Sequence, residues 1–475
     1  MNILLIISLL IGFILRLISL NQSLWLDEAV QVWASSSFTV KNLLIRYMPG
    51  DFNPPLYHLL MKGWLKFFSQ SEALIRIPSL LFGLGSIYLF YQVIALQKEK
   101  KAWFVSLLLL ATSPLHVYYS QEARMYILAC FSFLLAFWRF LVFAKKTNIV
   151  NAVWLGLSFL LMGFSHFLTL FTLPVFFLWG VWQERKKGKK DWLVFFLPFI
   201  ILILGYLAYS PLLCRQIKTG LGWQKSFPVW KQTVGSFTFK AAALLPIKFI
   251  IGRISITPGW LYAFVAGALV FVYWSLAFLG VKDNFNLVKS GKRKKLKIKD
   301  QGQFLIFLLL VFPPVLGFVL GFKVSVFSYF RFLFILPLFY LLIGRGLAKS
   351  KKLFGFLSVF LIGVNLICSG VYLFNPDFHR EDWRGMVVWL HSQNRYFNAP
   401  LIIAPQIEKP FLHYDQSETR IIGVEKVKEP VIYLVSYGLP IFDPSDKIRN
   451  SLRKKGYKMK KGESFNKVGI EVWRE

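Results

Sequence analysis

Blocks of continuously apolar residues, each about as long as a bilayer is thick, recur along the first 373 residues of this chain. Backbone N–H and C=O groups cannot be left unpaired in hydrocarbon, so such blocks fold as helices or as closed barrels. These blocks show no alternation of period two, which selects helices. Candidate spans lie at roughly 3–20, 73–96, 102–116, 124–144, 151–163, 166–182, 192–213, 259–280, 302–321, 329–345 and 352–373. Some are short for one crossing, 151–163 above all. The stretch 237–256 is open to three readings, because Pro246, Lys248 and Arg253 interrupt it. An interfacial helix, a re-entrant segment and a hairpin of two short spans all fit. The expectation is a polytopic α-helical membrane protein of about 11–13 spans. Residues 3–20 lack a basic start and a small-residue cleavage pattern, so they read as the first span rather than a signal peptide.

Apolar residues make up 56% of the chain, above the roughly 45–50% of soluble domains. The 49 Phe and 16 Trp suit lipid-facing surfaces and interface belts. A net charge of +33 is not read here as a nucleic-acid signal, because the Lys and Arg fall in short runs between spans and in the tail. Such runs mark the cytoplasmic side. The runs at 97–101, 144–148, 183–190, 289–299 and 348–352 all fall on one side of an eleven-span map. Two further spans within 237–256 preserve that pattern and a single one breaks it. The N-terminus is then expected to be cytoplasmic and everything beyond about residue 374 extracytoplasmic. The three cysteines form no CxxC motif and indicate neither a zinc-thiolate site nor a disulfide framework.

Two domains are expected: a multi-span domain over 1–375 and a small extracytoplasmic α/β domain over 376–475. The tail alternates apolar runs with Pro, Gly and Asp, and its segment HREDWRGMVVWLHSQN reads as an amphipathic helix with Trp383, Val387, Val388 and Leu390 on its apolar side.

On this map the polar chemistry gathers in the outer loops 21–72 and 116–123. Asp27 and Glu28 follow the first span, where carboxylates are costly and usually functional. Either suits a general base or a metal ligand, and Asp27 equally suits a helix cap. Asp51 and Asn53 precede Pro54-Pro55 and a helix start. His58 and Lys62 share one face of that helix and read as interface residues. Glu122 and Arg124 stand at the mouth of the fourth span. Being two apart they do not face one another on a helix, so Arg124 is free to meet a phosphate, with an interfacial ion pair as the plainer reading. His116 reads as an interface marker. His166 lies at an outer boundary and is a candidate metal ligand together with Asp51 or another carboxylate. Tyr329 and Arg331 lie at the outer edge of the tenth span, where Arg331 either meets an anionic head group or snorkels.

LWLDEA, DFNPPLYHLLMKGW, SQEARMYIL, SHF, SYFRFLFILP and EDWRG together resemble the GT-C fold membrane glycosyltransferases, of the protein mannosyltransferase-like and aminoarabinose-transferase-like type called family 39. The resemblance covers roughly residues 1–390. It implies transfer of a hexosyl or pentosyl group from a polyprenyl-phosphate sugar to an acceptor hydroxyl on the extracytoplasmic face of a plasma membrane. It also implies inversion at the anomeric carbon and no nucleotide cofactor. The acceptor, whether protein, lipid or glycan, is left open. The resemblance assigns Asp27, Glu28 and Glu122 to catalysis, with Asp27 activating the acceptor. It assigns Arg124, Tyr329 and Arg331 to the carrier phosphate, and Asp51 and His166 to a divalent metal ion. Two departures bear on the metal and its surroundings: Asn53 stands where many relatives have His before the paired prolines, and Ser165-His166-Phe167 stands where they often have Thr-His-Tyr. The rival class is a transporter or flippase for a lipid-linked sugar, which would show related halves and polar residues at the midplane.

Overall fold

The computed structural model describes residues 3–96, 103–185, 189–226, 238–282, 285–290, 293–298, 301–394, 399–415 and 419–475. The basic run at 97–101, and parts of those at 183–190 and 289–299, lie outside the described residues. Every expected span is a helix. In chain order the first elements are α1 (Ile3–Leu17), α2 (Leu26–Ser37), α3 (Leu56–Trp64), α4 (Glu72–Ala95), α5 (Trp103–Thr112), α6 (Pro114–Ser120), α7 (Tyr126–Lys145) and α8 (Ile149–Ser165). They are followed by α9 (Leu173–Glu184), α10 (Lys189–Ser226), α11 (Phe239–Ile251), α12 (Gly259–Lys282), α13 (Gln301–Gly321), α14 (Leu336–Lys349) and α15 (Phe354–Phe374). Between α12 and α13 runs an antiparallel hairpin, β1 (Phe285–Ser290) with β2 (Arg293–Ile298). Among the described residues seven helices are long and apolar enough to cross a membrane, and four shorter apolar ones accompany them. The chain is a multi-pass membrane protein.

Local chemistry explains where the spans break. Pro114 cannot continue a helix, and Ser113 before it leaves the helical region at ψ 122°. The Ser113 hydroxyl then accepts from the His116 N–H, so α5 ends and α6 begins within one residue. The expected outer loop 116–123 is therefore mostly the buried helix α6. The segment 237–256 forms one 13-residue helix, α11, whose last four residues are buried. At about 1.5 Å per residue it reaches about 20 Å, short of a bilayer crossing, so the two-span hairpin does not form. Helix α10, at 38 residues, is longer than a span needs. From its C-terminal part Gln216 donates to the Asp51 and Asn53 carbonyls, both at 2.9 Å, bracing the loop before α3.

Helices α12 and α14 pack backbone to backbone. A Cβ at Gly346 would stand 1.9 Å from the Leu276 carbonyl oxygen, and one at Gly280 would stand 2.3 Å from that of Leu342. Small residues permit such approach, which supplies the van der Waals contact that holds helices together in lipid.

Beyond Phe374 the chain forms a four-stranded sheet, β3 (Leu401–Ile402), β4 (Val431–Val435), β5 (Lys458–Phe465) and β6 (Val468–Arg474), in the order β3-β4-β6-β5. β3 pairs with β4 in parallel and the other pairs are antiparallel. One face packs on α16 (Trp383–Asn394) through Trp383, Met386, Val387 and Leu390, and on α17 (Glu408–Tyr414) through Phe411. The other face packs on α18 (Lys447–Lys454) through Leu452. This is the expected α/β tail, with one correction. Val388 is 65% exposed, because Trp383, Val387 and Leu390 follow the i, i+4, i+7 stripe and Val388 falls beside it. The tail rests on the membrane part: Arg384 pairs with Glu72 at 2.9 Å, and the Leu24 N–H donates to the Tyr414 hydroxyl at 2.8 Å.

Gly346→Val is expected to force α12 and α14 apart and to lower stability by more than about 3 kcal/mol, read as thermal unfolding in detergent. Gly363→Val, on α15 with open space at its Cβ, should leave the melting temperature within error of wild type.

Candidate active site

The site grows from the first turn of α2. Trp25 is the N-cap and offers no side-chain hydrogen bond, so Asp27 lies inside the helix and is not its cap. Successive residues on a helix are turned about 100° apart, so neighbours point to different surroundings. Glu28 points inward and has no exposure. Arg76 on α4 grips it twice, Nε to Oε1 at 2.9 Å and Nη2 to Oε2 at 2.5 Å. The Ala123 N–H adds a bond to Oε1 at 2.8 Å. Arg76 also donates to the carbonyls of Leu20, Gln22 and Ser23. Burial alone would raise the Glu28 pKa, but the guanidiniums of Arg76 and Arg380 outweigh it and hold the group below its ordinary value.

Asp27 points the other way. Its side chain is 40% exposed and stands 3.5 Å from the buried Arg124 guanidinium. Arg331, on the turn before α14, lies in electrostatic reach of both, and its Nη1 donates to the Ser325 carbonyl at 2.5 Å. Phe330 beside it packs on Tyr119, Tyr126 and Tyr329, which fastens that turn to the mouth of α7. His166 is buried against Tyr126 and accepts the Leu168 N–H on Nδ1.

Glu122 is buried, and neither carboxylate oxygen has a hydrogen-bond partner. Arg380 approaches it at 3.7 Å. Burial pushes its pKa up, despite Arg380, to about 7. Glu122 and Arg124 do not pair as side chains: one meets Arg380 and the other Asp27, as their spacing requires.

Asp51 accepts from His58 Nε2 at 2.9 Å and from the Asn53 N–H and side-chain amide, both at 2.9 Å. Burial would raise its pKa, but the His58 contact leads the groups that lower it to about 2. Asp51 is thus engaged with His58 and Asn53, while His166 sits with Tyr126. Among the described residues there is no group of three or more His, Cys, Asp or Glu able to hold a metal ion. The expected Asp51–His166 pair is thus joined by no third donor of these types among the described residues.

Three interface readings are corrected. His58 is buried between Asp51 and Gln31. His116 is buried against Arg16, whose Nη2 donates to Nδ1 at 2.6 Å. Lys62 turns back to donate to the Ser35 and Phe38 carbonyls at the end of α2, where a helix leaves carbonyls unpaired. Sequence reasoning also missed several charged groups. Arg253 donates to the Tyr118 hydroxyl at 2.6 Å. Arg76 and Arg380 bind the carboxylates above. Glu381, its pKa raised by burial, accepts from Tyr437 at 3.3 Å and keeps a second oxygen unpartnered. For Glu381 the signal was the EDWRG motif, to which no role was given; for the arginines it was a charge in or beside an apolar block, with partners distant in sequence.

Residues 53–211 match the family described as dolichyl-phosphate-mannose-protein mannosyltransferase. The chain is similar to ArnT from Cupriavidus metallidurans bound to undecaprenyl phosphate, at 11% identity and TM-score 0.55, covering 99% of this chain and 97% of that one. The apo state of that protein gives 11% identity, TM-score 0.54 and the same coverage. Similarity to the Saccharomyces cerevisiae O-mannosyltransferase Pmt1-Pmt2 complex bound to the sugar donor is more limited, at 18% identity and TM-score 0.36. It covers 46% of this chain, which spans about a third (34%) of that one. No curated protein matches the chain. The fold is that of the GT-C glycosyltransferases, as the motifs led one to expect.

Glu28→Gln is expected to cost about 3–5 kcal/mol, because it leaves the Arg76 guanidinium buried without its counter-charge. Thermal unfolding in detergent measures this. A variant as stable as wild type would show that Arg76 is satisfied by carbonyls alone.

Proposed function

We propose that this chain transfers a sugar from a polyprenyl phosphate carrier to an acceptor hydroxyl on the extracytoplasmic face, with inversion at the anomeric carbon. The observation that carries the reading is the exposed Asp27 carboxylate facing a buried arginine, Arg124, with Arg331 in electrostatic reach, at one end of a GT-C helical domain. The family match over 53–211 and the likeness to an ArnT structure bound to undecaprenyl phosphate support the choice of carrier. The basic runs on one side of the span map support a cytoplasmic N-terminus and an extracytoplasmic tail, and the family resemblance supports a plasma-membrane location.

In this mechanism Asp27 takes the acceptor hydroxyl proton as the acceptor oxygen bonds to the anomeric carbon. The bond from that carbon to the phosphate oxygen breaks, and its electron pair leaves on the phosphate. Arg124 and Arg331 stabilise that growing charge, with Tyr329 beside them. Direct displacement from the opposite face inverts the centre. Arg124 holds Asp27 when no donor is present; a phosphate draws that guanidinium away and leaves the carboxylate free to accept a proton. Glu122, enclosed and partnered by Arg380, shapes the field around Arg124 rather than touching the acceptor. Glu28 and Asp51 hold the loop. No step is routed through a divalent metal: Asp51 is engaged with His58 and Asn53, and no third His, Cys, Asp or Glu joins Asp51 and His166 among the described residues.

The test is turnover of a panel of radiolabelled polyprenyl-phosphate sugars by protein in nanodiscs. Asp27→Asn should lower turnover by about 10²–10⁴-fold while retaining donor binding. Full activity in Asp27→Asn would remove Asp27 as base. Well-folded protein that binds these carriers and leaves every glycosidic bond intact would favour the flippase class instead.

A further inference from the structure

The segment joining the last membrane helix to the tail does more than connect them. From α15 the chain makes a short turn at Pro376–Phe378 and then drives Arg380 back into the membrane part, where it is 4% exposed. Its Nε lies 3.6 Å from Glu28 Oε2 and its Nη2 lies 3.7 Å from Glu122 Oε2. One guanidinium thus stands between a carboxylate of the first outer loop and one of the second. Its plane stacks on the Tyr118 ring at 4.5 Å, and it donates to the Tyr118 carbonyl and the Tyr372 hydroxyl. The Gln22 side chain accepts from both its N–H and Nη1.

The backbone that carries Arg380 is held from the other side by the tail. The β5–β6 turn places Asn466 and Lys467 at positive φ, 40° and 78°. Asn466 Nδ2 donates to the Arg380 carbonyl at 2.7 Å and to that of Pro376 at 3.0 Å. Lys467 Nζ donates to the His379 carbonyl at 3.2 Å, and the Asp382 N–H to that of Phe465 at 3.2 Å. A two-residue hairpin between Phe465 and Val468 requires positive φ at both central positions, and that turn is what aims these side chains at the connecting segment.

We infer that Arg380 is a positioning residue: set in place by the β5–β6 turn of the tail, it fixes the Glu122 carboxylate beside Arg124 and so makes the site depend on docking of the tail domain. The inference rests on the glycosyl-transfer reading only in counting Glu122 as part of the site. Four charged groups act on Glu122: Arg380 from the connecting segment, Glu28 from α2, Arg253 from the turn after α11, and Arg124 from its own loop. The phenols of Tyr57, Tyr118, Tyr119 and Tyr126 also face it. Arg380 leads the groups that favour the ionised form, so its loss moves the titration of Glu122 to higher pH, with Arg253 and Arg124 left to oppose Glu28.

The experiment is a pH titration of the carboxyl stretch by infrared difference spectroscopy on the full-length protein in nanodiscs, the Glu122 band being assigned by its loss in Glu122→Gln. Arg380→Met should raise its midpoint by about one pH unit or more. Arg380→Lys, which keeps the charge but cannot bridge both carboxylates, should raise it less. Asn466→Ala, which leaves every charge in place and loosens only the turn, should move it in the same direction as Arg380→Met. The two milder variants decide the matter if the methionine variant misfolds. An unchanged midpoint in Arg380→Lys and Asn466→Ala, with the protein folded, overturns the inference. The readout needs no sugar. A shifted midpoint in a protein that turns over no lipid-linked sugar leaves Arg380 assigned and removes only the glycosyl-transfer reading.

Discussion

A carboxylate with no exposure, placed where a chain leaves the bilayer, has to be paired, and Glu28 shows how much structure follows from that requirement. Its two oxygens collect Arg76 from α4 and the Ala123 N–H from the second outer loop, with Arg380 from the connecting segment close by. Arg76 in turn closes three carbonyls of the first outer loop. Four stretches of chain far apart in sequence thus meet on one residue. The desolvation cost of such a pair leaves little net stability. What it supplies is registry: the loops can meet in this arrangement only, and Asp27, one residue earlier, is thereby aimed outward at Arg124.

The membrane architecture was legible because lipid leaves the backbone few alternatives. Each long apolar block had to be a helix, and even the short stretch 151–163 lies within one, α8. The stretch 237–256 stayed open because length and hydropathy do not distinguish a 13-residue helix buried only at its end from a pair of short ones. In the tail, Val388 was placed on the apolar side by its chemistry although the helical angle sets it apart from Trp383 and Leu390. These are errors of a residue or a turn, and they leave the architecture intact.

The site was legible in its residue types and much less in its partnerships. Asp27, Glu28, Glu122 and Arg124 were marked by charge beside apolar blocks. Which of Asp27 and Glu28 faces inward depends on how α2 rolls against α4, and no local pattern encodes that. His58 and His116 looked like interface residues because their partners, Asp51 with Gln31 and Arg16, declare themselves only when the helices pack. Arg380 and Arg253 were invisible for the same reason: each works through a group more than a hundred residues away. The metal expectation joined Asp51 to His166 on residue type alone, and in the fold the Asp51 carboxylate is already bonded to His58 and Asn53.

The charge inventory at the mouth of the helical domain leads one step further. Glu28 is matched by Arg76, and Asp51 is bonded to His58. Arg124, Arg331, Arg253 and Arg380 are then left to face Asp27, Glu122 and Glu381, of which Glu122 and Glu381 are pushed by burial toward their neutral forms. The mouth therefore carries an excess of fixed positive charge in a setting that water does not screen well. Such a site is incomplete until an anion enters, and a phosphate at the end of a membrane-held lipid would supply that charge without leaving the bilayer. In that arrangement the Asp27–Arg124 contact is what the anion displaces, so on the proposed reading the base becomes competent only once the donor is in place. An acceptor arriving first would find its carboxylate occupied by Arg124.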